Sequence, residues 1–454
     1  MKGRLLSLWE SLRTSFWFVP ALMAAASVGL ALGTVRLDGS AAGRTLANSV
    51  DFLWSGSADG ARSLLSTVAS SMITVAGTVF SITITALVLA SGQFGPRLLR
   101  NFTRDLGNQL VLGTFVATFL YCLLVLRTVR GAQEGGFVPY LSVTSGVFLA
   151  AASIGVLIYF IHHIAASIQA ESLVAAVGAE LKQDIARLYP PRPGERADDR
   201  APETPAAPAR AVRSEESGYV QAIDGDGLVA AAEKGDLLIQ ALRRPGDFVS
   251  RGDALLQVWP RQGRLDEGQA ARLRGAVSLG PRRTPTQDMR YGVRQLTEIA
   301  SRALSPGIND PFTAMGCTDW LMDALADAAR RTPAPGCRRG ASGAPRLLDR
   351  PVTFAELAQL SVEPIRAYGA GSAMVVGHLL RALAQLAAQV EQAEDRAALI
   401  AQAELTAAAA RRALGDDADL RQVEDGLDRV RAAVATGSGA GERCRSFVGG
   451  GAPP

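Results

Sequence analysis

The sequence predicts an α-helical membrane protein with four transmembrane helices. A cytoplasmic α+β region follows, made of a small β sandwich-like module and a helical bundle. Three observations carry this prediction. Of 454 residues, 48% are apolar, yet the first 170 hold only 11 Lys/Arg and 6 Asp/Glu, whereas the remaining 284 hold 36 and 37. Four long stretches of the first part carry no charged side chain. Beyond Glu171 the composition becomes that of an ordinary water-soluble domain. A wholly soluble enzyme is therefore excluded, and the small net charges of the two parts, +5 and −1, argue against nucleic acid as a partner.

The uncharged stretches are residues 14–35, 63–96, 106–126 and 135–170. A hydrocarbon core of roughly 30 Å needs about 20 apolar helical residues, because unpaired backbone groups cannot face lipid. Residues 1–170 are thus the transmembrane domain. Lys2, Arg4 and Arg13 before the first stretch, with Ala24, Ala25 and Ala26 after it, also fit a cleaved signal peptide. Phe16, Trp17 and Phe18 suit the aromatic belt of a retained span. Upstream, Leu5, Leu8, Trp9, Leu12 and Phe16 recur at helical spacing, either as an interfacial helix or as an extension of the first span. Lys2, Arg4, Arg13, Arg97, Arg100, Arg104, Lys182 and Arg187 fall on one side of the membrane; Arg36, Arg44, Arg62, Arg127 and Arg130 fall on the other. This bias predicts cytoplasmic N- and C-termini, and the preference for arginine over lysine suggests a GC-rich bacterial genome.

In the first span Ala21, Ala25, Gly29 and Gly33 recur every four residues, a spacing that lets helix backbones approach. The second span has 34 uncharged residues, about 51 Å of helix, so it must tilt, break near Gly92, Gly95 and Pro96, or project. Within it Thr67, Ser71, Thr74, Thr78, Ser81 and Thr85 share one face. These hydroxyls are candidates to line a water-filled pore between subunits of a homo-oligomer. The alternative is close helix packing with bonds to their own i−4 carbonyls. In the fourth span His162 and His163 are pH-sensing candidates or ordinary interfacial residues. Arg97, Arg100 and Arg104 are candidates for binding lipid headgroups.

Residues 171–188 read as a helix leaving the membrane, and 189–216 as a proline-rich linker. Residues 217–260 carry short strands at Gly218–Ile223 and Leu237–Leu242 and two glycine turns. Those turns resemble the ones of biotinyl/lipoyl-like sandwiches but lack the hairpin lysine that would bear a cofactor. Residues 261–435 are helical, with Thr284-Pro285 as one helix start. Ser305-Pro-Gly-Ile-Asn-Asp-Pro311 forms a tight turn into the next helix, capped by Asn309 or Asp310. Backbone groups at Ser305, Gly307, Asn309 and Asp310 are candidates for an anion or other ligand, although a carboxylate at the helix start favours a structural joint. The glycine-rich residues 436–454 read as a disordered tail.

The four cysteines form no CxxC pair, and three histidines do not compose a metal centre. Walker, GxGxxG, GxSxG and HExxH motifs are absent, so no catalytic residue, metal or cofactor is assigned. The expected partners are the lipid bilayer, further copies of the chain, and a cytoplasmic protein or small-molecule ligand of unknown kind.

Five runs carry a family resemblance: Leu8-Trp-Glu-Ser-Leu-Arg13 leading into Ser15-Phe-Trp-Phe-Val-Pro20, Ser71-Met-Ile-Thr-Val-Ala-Gly77, Gln93-Phe-Gly-Pro-Arg-Leu-Leu-Arg100, Tyr159-Phe-Ile-His-His163, and Leu304-Ser-Pro-Gly-Ile-Asn-Asp-Pro-Phe-Thr-Ala314. Together they resemble a bacterial family of predicted inner-membrane proteins, domain-of-unknown-function family 2254. The resemblance implies membrane location and four spans, and supplies no substrate or activity. Two functions follow as expectations: a homo-oligomeric channel or transport protein with a cytoplasmic regulatory domain, or a membrane-anchored scaffold or sensor whose cytoplasmic helices bind a partner.

Overall fold

The computed structural model describes residues 17–40, 56–94, 105–131, 136–167, 169–189, 205, 208–260, 265–331 and 336–448. The chain divides into two compact units, residues 1–172 and 173–454. In the first, four helices are long and apolar enough to cross a membrane. They are α1 (Phe18–Gly39), α2 (Ala58–Phe94), α3 (Leu106–Leu126) and α4 (Tyr140–Ser167). Each overlaps an uncharged stretch of the sequence, with Arg36 and Asp38 at the end of α1 and Asp59 and Arg62 at the start of α2, so these candidate spans follow from the cost of taking charge into hydrocarbon. The expected interfacial segment before Phe16 and the Arg97, Arg100 and Arg104 headgroup candidates lie outside the described residues.

Helix α3 is the packing centre of this unit, touching α1, α2 and α4 and burying Val111, Phe115, Tyr121, Cys122 and Val125. The approach of α1 is close because Gly113 has no side chain: a Cβ there would sit 3.3 Å from the Pro20 Cα. The small residues of α1 do not make this contact. Pro20, Ser27, Ala31 and Thr34 face inward, whereas Ala21, Ala25, Gly29 and Gly33 are exposed on the unit's outer surface. Helix α2 runs unbroken for 37 residues, about 55 Å. It passes through Gly92 and ends directly before Gly95-Pro96. Its inward stripe is Ala61, Leu65, Ala69, Met72, Ala76, Val79, Thr83 and Ala86, with the spacing of a single helical face.

The second unit opens with α5 (Ala170–Leu188), whose Leu173, Val177, Leu181 and Ile185 are buried. Mixed structure follows: β1 (Arg210–Arg213), β2 (Gly218–Ile223), α6 (Gly225–Lys234), β3 (Leu237–Ala241), β4 (Phe248–Val249), β5 (Ala254–Pro260), α7 (Glu267–Gly275) and β6 (Val277–Gly280). Next come α8 (Arg290–Ala303), α9 (Pro311–Ala329), β7 (Cys337–Arg339), β8 (Pro345–Leu348), α10 (Phe354–Gly369), α11 (Ala373–Gln389), α12 (Ala393–Ala413) and α13 (Asp417–Val448). The strands form a five-stranded sheet ordered β1-β5-β3-β8-β7 and a three-stranded sheet ordered β4-β2-β6. All pairings are antiparallel except β3 with β8. Strand pairing therefore reaches beyond residues 217–260, back to β1 and forward to β8. Apolar side chains of both sheets and of α6 and α7 share one core that includes Val220, Leu228, Ile239, Val258, Leu273 and Leu347.

Helices α8 to α12 pack on one another and bury Leu296, Leu321, Ile365, Leu383 and Ala407 completely. Helix α8 starts at Arg290 rather than at Pro285. Asp288 Oδ1 accepts the Arg290 N–H at 3.1 Å, while Thr284 turns its hydroxyl to the Gln221 carbonyl at 3.4 Å. At α9 the expected start holds: Pro311 occupies the first turn and Asp310 is the N-cap. The final helix continues to Val448, past the point where glycine content predicts loss of order.

Candidate functional site

The hydroxyl face of α2 is built from a helix whose two sides differ. Thr67, Ser71, Thr74, Thr78, Ser81 and Thr85 are all exposed, opposite the stripe that packs within the chain. Thr67, Thr74, Thr78 and Thr85 donate to the carbonyls of Ser63, Ser70, Thr74 and Ser81 at 2.8, 2.8, 3.1 and 2.9 Å. Their hydrogen-bonding needs are met locally, so the face is polar in composition but nearly neutral in its demand for partners. From Thr67 to Thr85 it extends for about 27 Å along the axis, close to the thickness of a hydrocarbon core.

Polar side chains tie the helices together at both ends of the unit. Where α1 ends and α4 begins, Asp38 Oδ1 accepts the Leu141 N–H at 2.9 Å, and its Oδ2 accepts the Ser142 N–H at 2.9 Å and the Ser142 hydroxyl at 2.6 Å. A carboxylate of one span thus caps the helix of another, satisfying amide groups that have no partner inside α4. Beside it, the Tyr121 hydroxyl donates to the Ser142 carbonyl at 3.0 Å and lies 3.1 Å from Thr34 Oγ1.

At the opposite end Asp105 caps α3, accepting the Gly107 N–H at 2.8 Å. Its other oxygen lies 2.6 Å from His163 Nε2 and accepts from Asn108 Nδ2 at 3.3 Å. Tyr159, one turn before His163, stacks on the imidazole with centroids 5.3 Å apart and rings inclined by 15°, its hydroxyl 3.4 Å from Nδ1. A neutral imidazole protonated at Nε2 donates to Asp105 and accepts from Tyr159; a protonated one donates to both. His162, which points about 100° away on the same helix, is exposed. Asn108 Oδ1 in this cluster is buried with no hydrogen-bond partner among the described residues. Of the two histidine candidates, His163 is the one joined to other polar groups among the described residues. Its partner is 58 residues away, and sequence proximity could not reveal it. The available signal was Asp105, the acidic residue directly before an uncharged span.

The Ser305–Pro311 turn is occupied by its own backbone. Ile308 and Asn309 N–H groups donate to the Ser305 carbonyl at 3.0 and 2.9 Å, and the Asp310 N–H to Ala303 at 2.7 Å. Asp310 takes the start of α9, accepting the Thr313 N–H at 3.1 Å and its hydroxyl at 2.5 Å. Asn309 adopts φ +49°, a left-handed conformation that asparagine tolerates. Ser305 donates its hydroxyl to Arg302 at 2.6 Å, and Gly307 is exposed at the tip.

A charge cluster that residue spacing did not show lies where the Pro245-Gly246-Asp247 turn meets α8 and α10. Arg290, 6% exposed at the side chain, bonds through Nη2 to Asp247 Oδ1 and the Pro245 carbonyl, both at 2.8 Å, and through Nε to Asp288 Oδ1 at 3.3 Å. Arg244 grips Glu356 with two parallel bonds of 2.8 and 2.9 Å, the fork geometry that suits guanidinium and carboxylate. Gly246, at φ +88°, passes so close to the Asp288 carboxylate that a Cβ would collide with it. Burial pushes the Asp288 carboxyl above the ordinary carboxylate range, against the downward pull of Arg290 and Arg283. Burial acts in the same sense on Asp247, but the Arg244 amide and the Arg290 and Arg244 guanidiniums outweigh it and hold that carboxyl low.

A family model described as "Predicted membrane protein (DUF2254)" matches residues 13–385. Proteins described as uncharacterized from Mycobacterium bovis and Mycobacterium tuberculosis are 34% identical over 429 residues, which cover 93% of this chain and 81% of theirs. No solved structure matches.

Proposed function

We propose that this chain, which belongs to the DUF2254 family of predicted membrane proteins, is a homo-oligomeric channel or transport protein in which α2 lines the pathway and the second unit regulates it. One observation carries the reading. The six hydroxyls from Thr67 to Thr85 face outward, while packing within the chain falls to the opposite stripe from Ala61 to Ala86. Close packing inside the chain therefore does not account for the side of α2 that the hydroxyls occupy. Four of the six meet their hydrogen-bonding needs at their own i−4 carbonyls, so it is the outward position and lipid-thick length of the stripe, not unmet hydrogen bonds, that support a second copy as its neighbour. The outward Ala21, Ala25, Gly29 and Gly33 of α1 offer a further surface on which backbones of two copies can approach. We place the protein in the bacterial inner membrane with both termini in the cytoplasm; the charges flanking the first two spans and following the fourth support this orientation.

The test is flux through the full chain in liposomes. Positions 74, 78 and 81 are exposed and lie outside the stripe of α2 that packs within the chain. The triple variant T74L/T78L/S81L is expected to fold, to remain oligomeric, and to lose flux by more than about tenfold, since leucine removes the polar lining that a hydrated path requires. The control Ile73→Leu keeps full flux. Wild-type protein that is monomeric in lipid, or flux that survives the triple substitution, rejects the channel and leaves the second unit as the seat of function, as in a scaffold or sensor.

A further inference from the structure

One end of the second unit gathers exposed apolar side chains where two helix joints meet. Asp319 Oδ1 lies 2.6 Å from His378 Nε2, and Arg330 Nη2 donates to Gln389 Oε1 at 3.2 Å, so α9 and α11 run parallel with Met374 level with Met315. A Cβ on Gly369 would sit 3.3 Å from Leu304 Cδ1, which brings the α10–α11 joint beside the α8–α9 joint. Helix α5 also runs parallel to α9. Gly178 lies against the Trp320 ring, and Lys182 Nζ reaches Asp323 at 2.8 Å and Asp327 at 3.4 Å. The same offset sets Leu173, near the start of α5, level with Met315. Ile308, Phe312, Tyr368 and Met374 are all exposed at this end, Phe312 by 70% and Tyr368 by 61%.

The composition of this end differs from that of a surface kept in water. Residues 303–318 hold one charged side chain, Asp310, which is engaged in the cap of α9, and residues 367–377 hold none. The charges lie just behind. Arg302 and Arg366 directly precede the two uncharged stretches, Arg302 exposed and Arg366 half-buried against Gln402 at 3.3 Å. Asp319 and His378, which follow them, are paired with each other. An exposed apolar tip mostly marks a contact site, and rings at the front with arginine behind is the layout of a segment resting in a membrane interface. The chain itself supplies that membrane. Helix α4, the last of the four helices long and apolar enough to cross a bilayer, ends at Ser167, six residues before Leu173. Even fully extended, six residues span about 20 Å, so the end of the unit that carries the apolar side chains is the one held near the bilayer.

We propose that the tip formed by Ile308, Phe312, Tyr368 and Met374 inserts into the membrane interface, with Arg302 toward anionic headgroups. The contact involves no residue of α2, so it stands or falls apart from any pathway along that helix. The test uses the full chain with Cys444→Ser, its other cysteines being buried, in nanodiscs of phosphatidylcholine and phosphatidylglycerol. A nitroxide is attached in turn at Ile308→Cys, Phe312→Cys and Tyr368→Cys. The control is Phe248→Cys, an exposed apolar position on β4 next to Asp247, which bonds Arg290 at the opposite end of α8. Collision of each label with oxygen, which dissolves in lipid, is compared with collision with a water-soluble nickel chelate. Labels at the tip are expected to favour oxygen, at a depth of roughly 5–10 Å into the headgroup–acyl boundary, and the label at 248 to favour the chelate. Phe312→Asp, at an exposed position, should return the label at 308 to water, its chelate collisions rising to those of the 248 label. Three tip positions on two helix joints report separately, so one variant that fails to fold does not silence the test. The proposal is overturned if the tip labels meet the chelate as often as the 248 label, which leaves the tip in water. Shielding of the tip labels from both reagents overturns it as well, because the cover is then protein, such as a second copy.

Discussion

Replacing Arg290 with methionine tests how the β-turn at Gly246 is joined to the helices. The substitution keeps much of the side-chain volume but removes the guanidinium that bonds Asp247 and Pro245 at 2.8 Å and Asp288 at 3.3 Å. Asp288, 1% exposed at the side chain, is left with Arg283 Nε at 4.0 Å as the nearest opposing charge. Breaking one partner of a buried pair costs about 3–5 kcal/mol. By hydrogen exchange that is an acceleration of about two to three and a half decades in the amides of residues 244–250 and 290–294, up to the stability of the unit as a whole. The pH dependence has a defined sign. Asp247, held low, contributes stability that is present above the ordinary carboxylate value and is lost as pH falls through its folded value. Asp288, pushed up, contributes stability that is present below the ordinary value and is lost as pH rises through its folded value. Losing Arg290 weakens the first contribution and raises the Asp288 carboxyl further, so the deficit of the variant is largest at neutral pH and shrinks toward pH 5. Adding Asp288→Asn should recover part of the loss, because it removes the stranded charge. Acceleration below about tenfold, or a deficit equal at pH 5 and pH 7.5, refutes a guanidinium-centred joint.

Two further outcomes can be checked on the full chain. Asp38→Ala removes three bonds to the start of α4; a loss of about 2 kcal/mol should speed amide exchange of residues 140–144 by roughly thirtyfold while leaving the middle of α4 unchanged. Burial pushes the Cys317 thiol up to about 12, so in a Cys444→Ser background it should resist maleimide at pH 7.5 by about three orders of magnitude relative to an ordinary thiol, and labelling at the rate of a free thiol would show that α9 is not packed as described.

What could be read in the sequence was local. The four spans follow from uncharged length, the two faces of α2 from helical periodicity, and the α8–α9 joint from Asp310-Pro311. What escaped was set by distant partners. The cap on α4 comes from Asp38, 103 residues before Leu141, and the Asp105–His163 contact spans 58; no spacing rule connects such pairs. Strands β1, β7 and β8 have four, three and four residues, too few for an alternation to stand out, and β8 is placed by parallel pairing with β3 more than a hundred positions earlier. The start of α8 was misplaced for a related reason. Thr284-Pro285 has the composition of a helix start, but the Arg187 guanidinium binds the Pro285 and Thr286 carbonyls, and the Asp288 side chain engages the Arg290 amide instead. For α1, the repeat of small residues was legible but its side was not, because Gly113 on α3 provides the close approach that the repeat suggested.

The same polar contacts constrain how a pathway between copies could open. Helix α4 is tied to α1 through Asp38, to the far end of α3 through Tyr121, and to the near end of α3 through His163. Shifting α3 against α4 by one helical turn would break contacts at both ends at once, one of them to the Asp105 carboxylate, an acceptor of the strong class of hydrogen bond. Helix α2 is bound differently. Its Arg62 side chain bonds the Val129 carbonyl at one end, and its inward stripe is almost wholly apolar: Ala61, Leu65, Ala69, Met72, Ala76, Val79 and Ala86, with Thr83 bonded to its own helix. Such an interface is held by dispersion rather than by directional bonds, unlike the ties between α1, α3 and α4. Under the proposed assembly, α1, α3 and α4 therefore act as a braced frame, and α2 is the element able to turn its hydroxyl face toward or away from an axis shared with other copies. A cysteine at position 78 should then change its accessibility to a water-soluble thiol reagent between conducting and closed states, whereas one at position 142, inside the braced end, should not.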